Sequence, residues 1–389
     1  MREHFMDPVI IIGTGIAAYT LAREFRKLDS EIPLVLVTED DGCSYPKPML
    51  SNALTKAKTA DQIALFDAEI MAGKLDAEIM TYTVVRAIEP LAQKITFDDG
   101  NTREYQHLVL AVGAKPIRIP LEGDAADDVL SVNNLADYAL FRDKLVDAKR
   151  VAIIGPGLIG CEFANDLINV GTAVSVIGPS TLPMDALLPE PIAQELKVAL
   201  ANAGVDWHFE TSTQRISHSD NGYELTLTNG DKLNADVVIS AVGLRANIDL
   251  AQAAGLSVNR GIITDDTLQT SQSNIYALGD CAEVSGHNLL FIAPIIAAAK
   301  ALAKTLSGTL TPVKYPAMPV AVKTPSYPLI TAPPARDAVG KWTFELAESG
   351  FGIKGLYISS NDDLLGFVLS GDAVSEKQTL TKQLPDLLS

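Results

Sequence analysis

The sequence predicts a mixed α/β fold in three parts: two doubly wound units built to one plan, then a small α+β domain at the C-terminal end. Three observations carry that reading. Residues 8–39 run apolar strand, glycine turn, amphipathic helix, apolar strand. Residues 149–178 repeat the same order about 140 residues later. Beyond about residue 320 the pattern changes to short alternating strands (KWTFELA, GIKGLYIS, LLGFVLSG) ahead of a terminal helix.

Composition narrows the class. A chain of 389 residues can bury two or three cores, and 47% apolar with 20% charged residues is ordinary for a globular protein. The 48 acidic residues against 31 basic ones give a net charge of −17. That surface repels phosphate backbones and anionic lipid, so a nucleic-acid or membrane-surface role is not expected. Cys43, Cys161 and Cys281 are far apart, with no C-x-x-C, which excludes a disulfide framework and fits a reducing cytoplasm. His4, His107, His208, His218 and His287 have no ligand spacing, and no metal is expected. The polar start shows no signal-peptide pattern, and the apolar run 291–303 is too short to span a bilayer. A cytoplasmic protein is expected.

Each unit opens on a βαβ motif whose parallel strands need a right-handed crossover. In the first, Gly13-Thr14-Gly15-Ile16-Ala17-Ala18 reads G-x-G-x-x-A. Gly13 permits the tight turn, Gly15 lets the backbone approach a pyrophosphate, and Ala18 allows close helix–strand packing. Glu39, ending the next strand, is placed for a ribose, with Asp40 a close competitor. In the second, Gly155-Pro156-Gly157-Leu158-Ile159-Gly160 reads G-x-G-x-x-G. Its following strand ends at Ile177-Gly178-Pro179-Ser180 without an acid, and no positive charge lies between Gly171 and Glu195, which leans toward NADH over NADPH. Two such motifs predict two Rossmann-type dinucleotide sites.

The stretch Ile275-Tyr276-Ala277-Leu278-Gly279-Asp280 resembles the strand end of the two-dinucleotide-binding flavoproteins, the pyridine nucleotide–disulfide oxidoreductases. LVLAVGAKP (108–116) resembles that family's crossover strand, with Val112 in place of a threonine, and ISAVGLRAN (239–247) resembles its return. The resemblance covers about residues 8–310. It implies an FAD-binding domain over 1–118 and 243–318, an NAD-binding domain over 119–242 and a C-terminal domain over 319–389. It places Asp280 on the FAD ribityl chain, and Gly13, Gly15, Ala17, Ala18, Glu39, Val84, Ala111 and Gly113 also around FAD. Around NAD it places Gly155, Gly157, Leu158, Ile159, Gly160 and Gly243. The helix expected over about 294–307 would aim its N-terminal dipole at the flavin.

The disulfide-reducing branch needs a cysteine pair that this chain lacks. Tyr45-Pro46-Lys47-Pro48-Met49-Leu50-Ser51 instead resembles the branch serving small iron proteins, with lysine where that branch has arginine. The runs from Gly157 to Leu167, Ala277 to Val284 and Met318 to Pro325 are similar to those of bacterial rubredoxin–NAD reductases. This likeness implies FAD and NADH as cofactors, rubredoxin as a transient partner, and flavin-centred transfer with no catalytic acid or base, often in support of alkane hydroxylation. Lys47, Pro48 and Lys323 would lie against the isoalloxazine. Glu162 would orient the nicotinamide, or simply sit as an acid favoured near a helix start. Lys47 has the alternative of a solvated loop charge. Ferredoxin reductase and NADH oxidase or peroxidase remain alternatives, the last requiring a reactive thiolate such as Cys43. Because rubredoxins are acidic and the chain stands at −17, a local basic or apolar docking patch is expected near Lys47 and Lys323.

Overall fold

The computed structural model describes residues 7–389; His4 and the start of the chain read above lie outside the described residues. The runs VIII and LVLV form β1 (Val9–Ile12) and β2 (Leu34–Val37), every residue of which is buried. Strands covered on both faces need continuous apolar sequence rather than alternation, and these two have it. Between them α1 (Ile16–Arg26) buries Ala18, Leu21, Ala22 and Phe25 against the sheet. β3 (Glu78–Met80) and β4 (His107–Leu110) complete the parallel order β4-β1-β2-β3, with Val9 opposite both Leu34 and His107.

The second unit repeats the plan with β5 (Arg150–Ile154), α2 (Leu158–Ile168), β6 (Ala173–Ile177), β7 (Val205–His208) and β8 (Val237–Ser240). Its parallel order is β7-β6-β5-β8. The chain then returns to the first sheet as β9 (Ile275–Ala277), which pairs with β4, and continues into α3 (Ile292–Leu306). Pro294 falls in the first turn of α3, where its missing N–H has no intrahelical partner to lose. Outgoing and returning crossovers meet as a short antiparallel ladder, with Leu244 opposite Pro116 and Ala246 opposite Ala114. The expected boundaries at 118/119 and 242/243 flank this ladder.

The C-terminal part corrects two sequence expectations. Ahead of the three strands read from the sequence there are two more, β10 (Val320–Val322) and β11 (Leu329–Ala332), inside the proline-rich stretch 316–335. Pro319, Pro325, Pro328 and Pro333 bracket these short strands without entering them, so the ladder hydrogen bonds survive. With β12 (Lys341–Leu346), β13 (Ile353–Ile358) and β14 (Leu364–Ser370) they form an antiparallel sheet in the order β10-β11-β14-β13-β12. The final residues leave this sheet. The Tyr315 amide donates to Leu388 O (2.8 Å), the Leu388 amide donates to Tyr315 O (3.0 Å), and Leu388 packs on the first core. The tail therefore belongs with the first unit, not with the rest of 319–389.

One core surrounds the first sheet. A second is shared by the second sheet, by Leu50, Leu54 and Ile63 from the first unit, and by Val322, Leu329 and Val368 from the C-terminal sheet. That shared core fixes the three parts against one another. Among the described residues no helix is long and apolar enough to cross a membrane.

Candidate cofactor and electron-transfer site

Both glycine turns sit at the carboxyl ends of their parallel strands, where ligands bind in open α/β sheets. Gly13 has φ +116°, and a Cβ there would fall 2.4 Å from the Ala111 carbonyl oxygen. Gly15 is different: a Cβ would meet no atom within 4 Å. Gly15 also caps α1 without any side-chain hydrogen bond, so the first amides of the helix face open space. Uncapped amides at a positive dipole end, beside a gap left by a missing side chain, fit a pyrophosphate. Ala17 and Ala18 are buried, and Ala17 leaves no room for a Cβ on Gly279 (2.8 Å).

At the end of β2 the structure separates the two candidate acids. Asp40 Oδ1 accepts from Thr38 Oγ1 (2.6 Å), the Gly42 amide (2.9 Å) and Thr14 Oγ1 (3.3 Å), so it is committed to folding its own loop. Glu39 is exposed and makes no hydrogen bond among the described residues, which leaves its carboxylate available. Val84 reaches the same strand end because the Thr83 amide donates to Thr38 O (2.8 Å). Ala111 follows β4 beside β1, its amide donating to Ile12 O (3.0 Å), and Gly113 turns the chain away at φ +65°.

The second turn repeats the design more tightly. Gly155 (φ +111°) would bring a Cβ within 2.6 Å of Ala241 O, and a Cβ on Gly160 would lie 1.9 Å from Gly155 O. Gly157 caps α2 with no side-chain partner and has no atom within 4 Å of its absent Cβ. Leu158 and Ile159 form the half-buried first turn, and Gly243 (φ +114°) closes the return crossover above it. No acid ends β6, as the sequence indicated, but the neighbouring strand supplies one nearby. The Glu210 amide donates to Ser180 O (3.0 Å), and Glu210 is exposed with φ +57°, an unusual backbone for a side chain of its size.

Between the two turns lies a buried polar joint. Glu162, one turn into α2, is only 2% exposed. Its Oε1 accepts the Lys323 amide (3.0 Å); its Oε2 pairs with Lys323 Nζ (2.7 Å) and accepts Ser51 Oγ (2.6 Å). Lys323 Nζ also donates to Ser51 Oγ (2.6 Å) and to Pro48 O. One turn further, Asp166 accepts the amides of Leu54 (2.9 Å) and Thr55 (2.8 Å), while Asn165 Oδ1 accepts the Ser326 amide (3.2 Å). One face of α2 thus holds both the 48–55 segment and the 323–326 loop. Ser51, Asn165 and Asp166 were not singled out by sequence reasoning. The available signal was three polar residues at i, i+3 and i+4 within an otherwise apolar helix.

Lys47 and Pro48 open a 3₁₀ turn (Lys47–Ser51). Burial lowers the Lys47 pKa, opposed by the negative charges of Asp280 and Asp137. Burial raises the Asp280 pKa, opposed by Lys47. The two groups face each other's field, yet neither has an ion-pair partner within 4 Å among the described residues. Desolvated polar ends without partners are costly, and a polar ring system with a ribityl chain would satisfy both. The start of α3 is likewise uncapped, and Pro294 and Ile295 line one small cavity with Gly279 and Tyr315. The donor set therefore fits a flavin. At the expected docking patch, Lys323 pairs with Glu162 and keeps 28% of its side chain exposed, and Lys47 is half-buried.

The cysteines lack activation. Burial raises all three thiols, Cys281 to about 12, and nearby acids push Cys43 further in the same direction. Cys161 donates to Pro156 O and Cys281 to Leu110 O, as satisfied core thiols do.

Comparison with known proteins agrees with this geometry. Residues 7–303 match the pyridine nucleotide-disulphide oxidoreductase family, and residues 312–384 match the rubredoxin binding C-terminal domain. The chain is 46% identical over 384 residues to a rubredoxin-NAD(+) reductase of Alcanivorax borkumensis, covering 98% of this chain and 100% of that one. It is 47% identical to a rubredoxin-NAD(+) reductase of Acinetobacter baylyi, covering 98% and 99%. Among solved structures, a ferredoxin reductase from Rhodopseudomonas palustris superposes with a TM-score of 0.87 at 25% identity, covering 97% and 95%. The chain belongs to the pyridine nucleotide-disulphide oxidoreductase family, as an FAD- and NAD(H)-dependent oxidoreductase of two Rossmann-type units and a C-terminal domain of the rubredoxin binding type.

Proposed function

We propose that this protein passes electrons from NADH through FAD to rubredoxin. The observation that carries the reading is the joint at Glu162, which ties the helix after the second glycine turn to the Lys47–Ser51 turn of the first unit and to Lys323 of the C-terminal part. The turn at Gly13 and Gly15, with Glu39, Val84, Ala111 and Gly113, holds the FAD nucleotide end. Lys47, Pro48, Asp280 and Lys323 border its ring. The turn from Gly155 to Gly160, with Gly243, holds NADH.

FAD, when bound, accepts two electrons from NADH and releases them one at a time. The protein's share is orientation and exclusion of water. Glu162 and Lys323 neutralise each other, so they fix the wall beside the nicotinamide without leaving a free charge there. With a flavin bound, Lys47 and the uncapped start of α3 would supply positive potential beside its ring. No side chain has to gain or lose a proton for the transfer. Burial and nearby acids raise the Cys43 thiol, which disfavours the reactive thiolate that a peroxidase reading needs. The finer reading is that these electrons support alkane hydroxylation in the cytoplasm, which the likeness to bacterial rubredoxin–NAD reductases favours. Growth of a deletion strain on alkane as sole carbon source checks it.

The test of the reading is NADH-driven bleaching of oxidised rubredoxin, with a [2Fe–2S] ferredoxin and peroxide as parallel acceptors. Fast bleaching with both other acceptors slow is expected. A flavin that NADH reduces but rubredoxin fails to reoxidise would move the acceptor elsewhere.

A further inference from the structure

In a chain with 48 acidic residues, the stretch between Glu283 and Asp337 contains none. It contains Lys300, Lys304, Lys314, Lys323 and Arg336. Lys323 is spent on Glu162, but Lys300, Lys304 and Lys314 are exposed, and none of these three has an ion-pair partner among the described residues. Two of them stand on α3. Ala293, Ile296, Lys300 and Lys304 follow at steps of three or four residues, so they share one face, and all are exposed. Leu290, just before the helix, extends this face with a 38% exposed apolar side chain, and Ile296 is 42% exposed. The buried side of the same turn, Pro294 and Ile295, lines a small cavity with Gly279 and with Tyr315, so the start of α3 lies beside both the Gly279 turn and the beginning of the C-terminal domain.

We propose that this face of α3 adds to the surface of the C-terminal domain on which the acidic iron carrier docks, its apolar end toward the flavin and its lysine end gripping the carrier's carboxylates. The inference rests on the function proposed above. It also removes a difficulty: a chain at −17 should repel an acidic partner, unless the approach is through a field that is locally positive. Lys300 and Lys304, exposed and without ion-pair partners among the described residues, put positive charge on that face. From Ala293 to Lys304 the stripe is about 16 Å long at helical rise. A small domain with a radius of gyration of about 10 Å covers a stripe of that length. A small face of this kind, apolar at one end and charged at the other, also suits a partner that must leave after each electron.

The test compares Lys300→Glu/Lys304→Glu with a control of equal charge change, Lys144→Glu/Lys149→Glu on the NAD side, over a range of ionic strength. In the wild type, kcat/KM for rubredoxin should fall as salt rises. The stripe variant should lose about tenfold or more at low salt and show a flat or reversed slope, while the control stays within about twofold. Reduction of the flavin by NADH and of ferricyanide should be unchanged in both variants. Equal losses in stripe and control, or an unchanged salt slope in the stripe variant, would overturn the surface alone. A wild type that bleaches no rubredoxin at any salt overturns the function and the surface with it.

Discussion

Glu162 accepts a backbone amide and an ammonium from the C-terminal part and a hydroxyl from the first unit, while itself standing on the second. Glu162→Gln keeps the shape and removes the charge, leaving Lys323 to Ser51 and Pro48 alone. Lys323 is 28% exposed at its side chain, so water relieves part of the loss, and about 1–3 kcal/mol of stability should go. Reduction of bound flavin by NADH should slow about tenfold or more, read by rapid mixing; unchanged rate and unchanged Tm together would remove Glu162 from the joint. The thiols give a second check at this scale. Because the Cys43 pKa is raised, its thiolate is scarcer at pH 8 than that of a free thiol near 8.5, and it gains reactivity only at higher pH. Alkylation of Cys43 should therefore be slower than that of free cysteine at pH 8 and still be rising where free cysteine has levelled off. Fast labelling at pH 7 that also abolishes turnover would restore the thiol mechanism.

At the scale of elements, α2 and its glycine turn divide fold from function. A methyl at Gly157 enters open space at an ordinary backbone angle, whereas one at Gly160 strikes the Gly155 carbonyl. Gly157→Ala should keep Tm within a degree or two of wild type while raising KM for NADH about tenfold. Gly160→Ala should lower Tm as well as weaken NADH, and the reverse pattern would misassign both glycines. The strand ends show a related division. Since β6 ends without an acid and Glu210 stands beside Ser180, Glu210→Arg should raise kcat/KM for NADPH relative to NADH by about tenfold. A ratio unmoved by the substitution would place Glu210 outside the ribose pocket. Both glycine turns and their strands were legible because backbone approach to a phosphate demands glycine at fixed spacing. β10 and β11 were obscured by prolines that bracket rather than break them. Ser51 and Asp166 were obscured because their partners lie 111 residues or more away in sequence.

For the molecule as a whole, the three-part architecture was readable from the repeated βαβ pattern, but the way the parts close on one another was not. The shared core joining Leu54, Leu167 and Val368 is assembled from segments that carry no common sequence signal. The return of Leu388 to Tyr315 is likewise a tertiary event with no local cue. Charge shows the same limit: a net −17 was evident, and so were its consequences for nucleic acid. Only the fold shows that Lys47 and Lys323 are half-buried, Lys323 against Glu162, while Lys300 and Lys304 are exposed. Electron flow is the property of the assembled whole, and its stoichiometry tests the account most directly. Under anaerobic conditions, catalytic enzyme would be mixed with excess oxidised rubredoxin and titrated with limiting NADH. The account predicts two rubredoxins bleached for each NADH consumed, because two electrons enter together and leave singly. A flavin that stays reduced, with NADH beyond its one equivalent unconsumed and rubredoxin still oxidised, would contradict it.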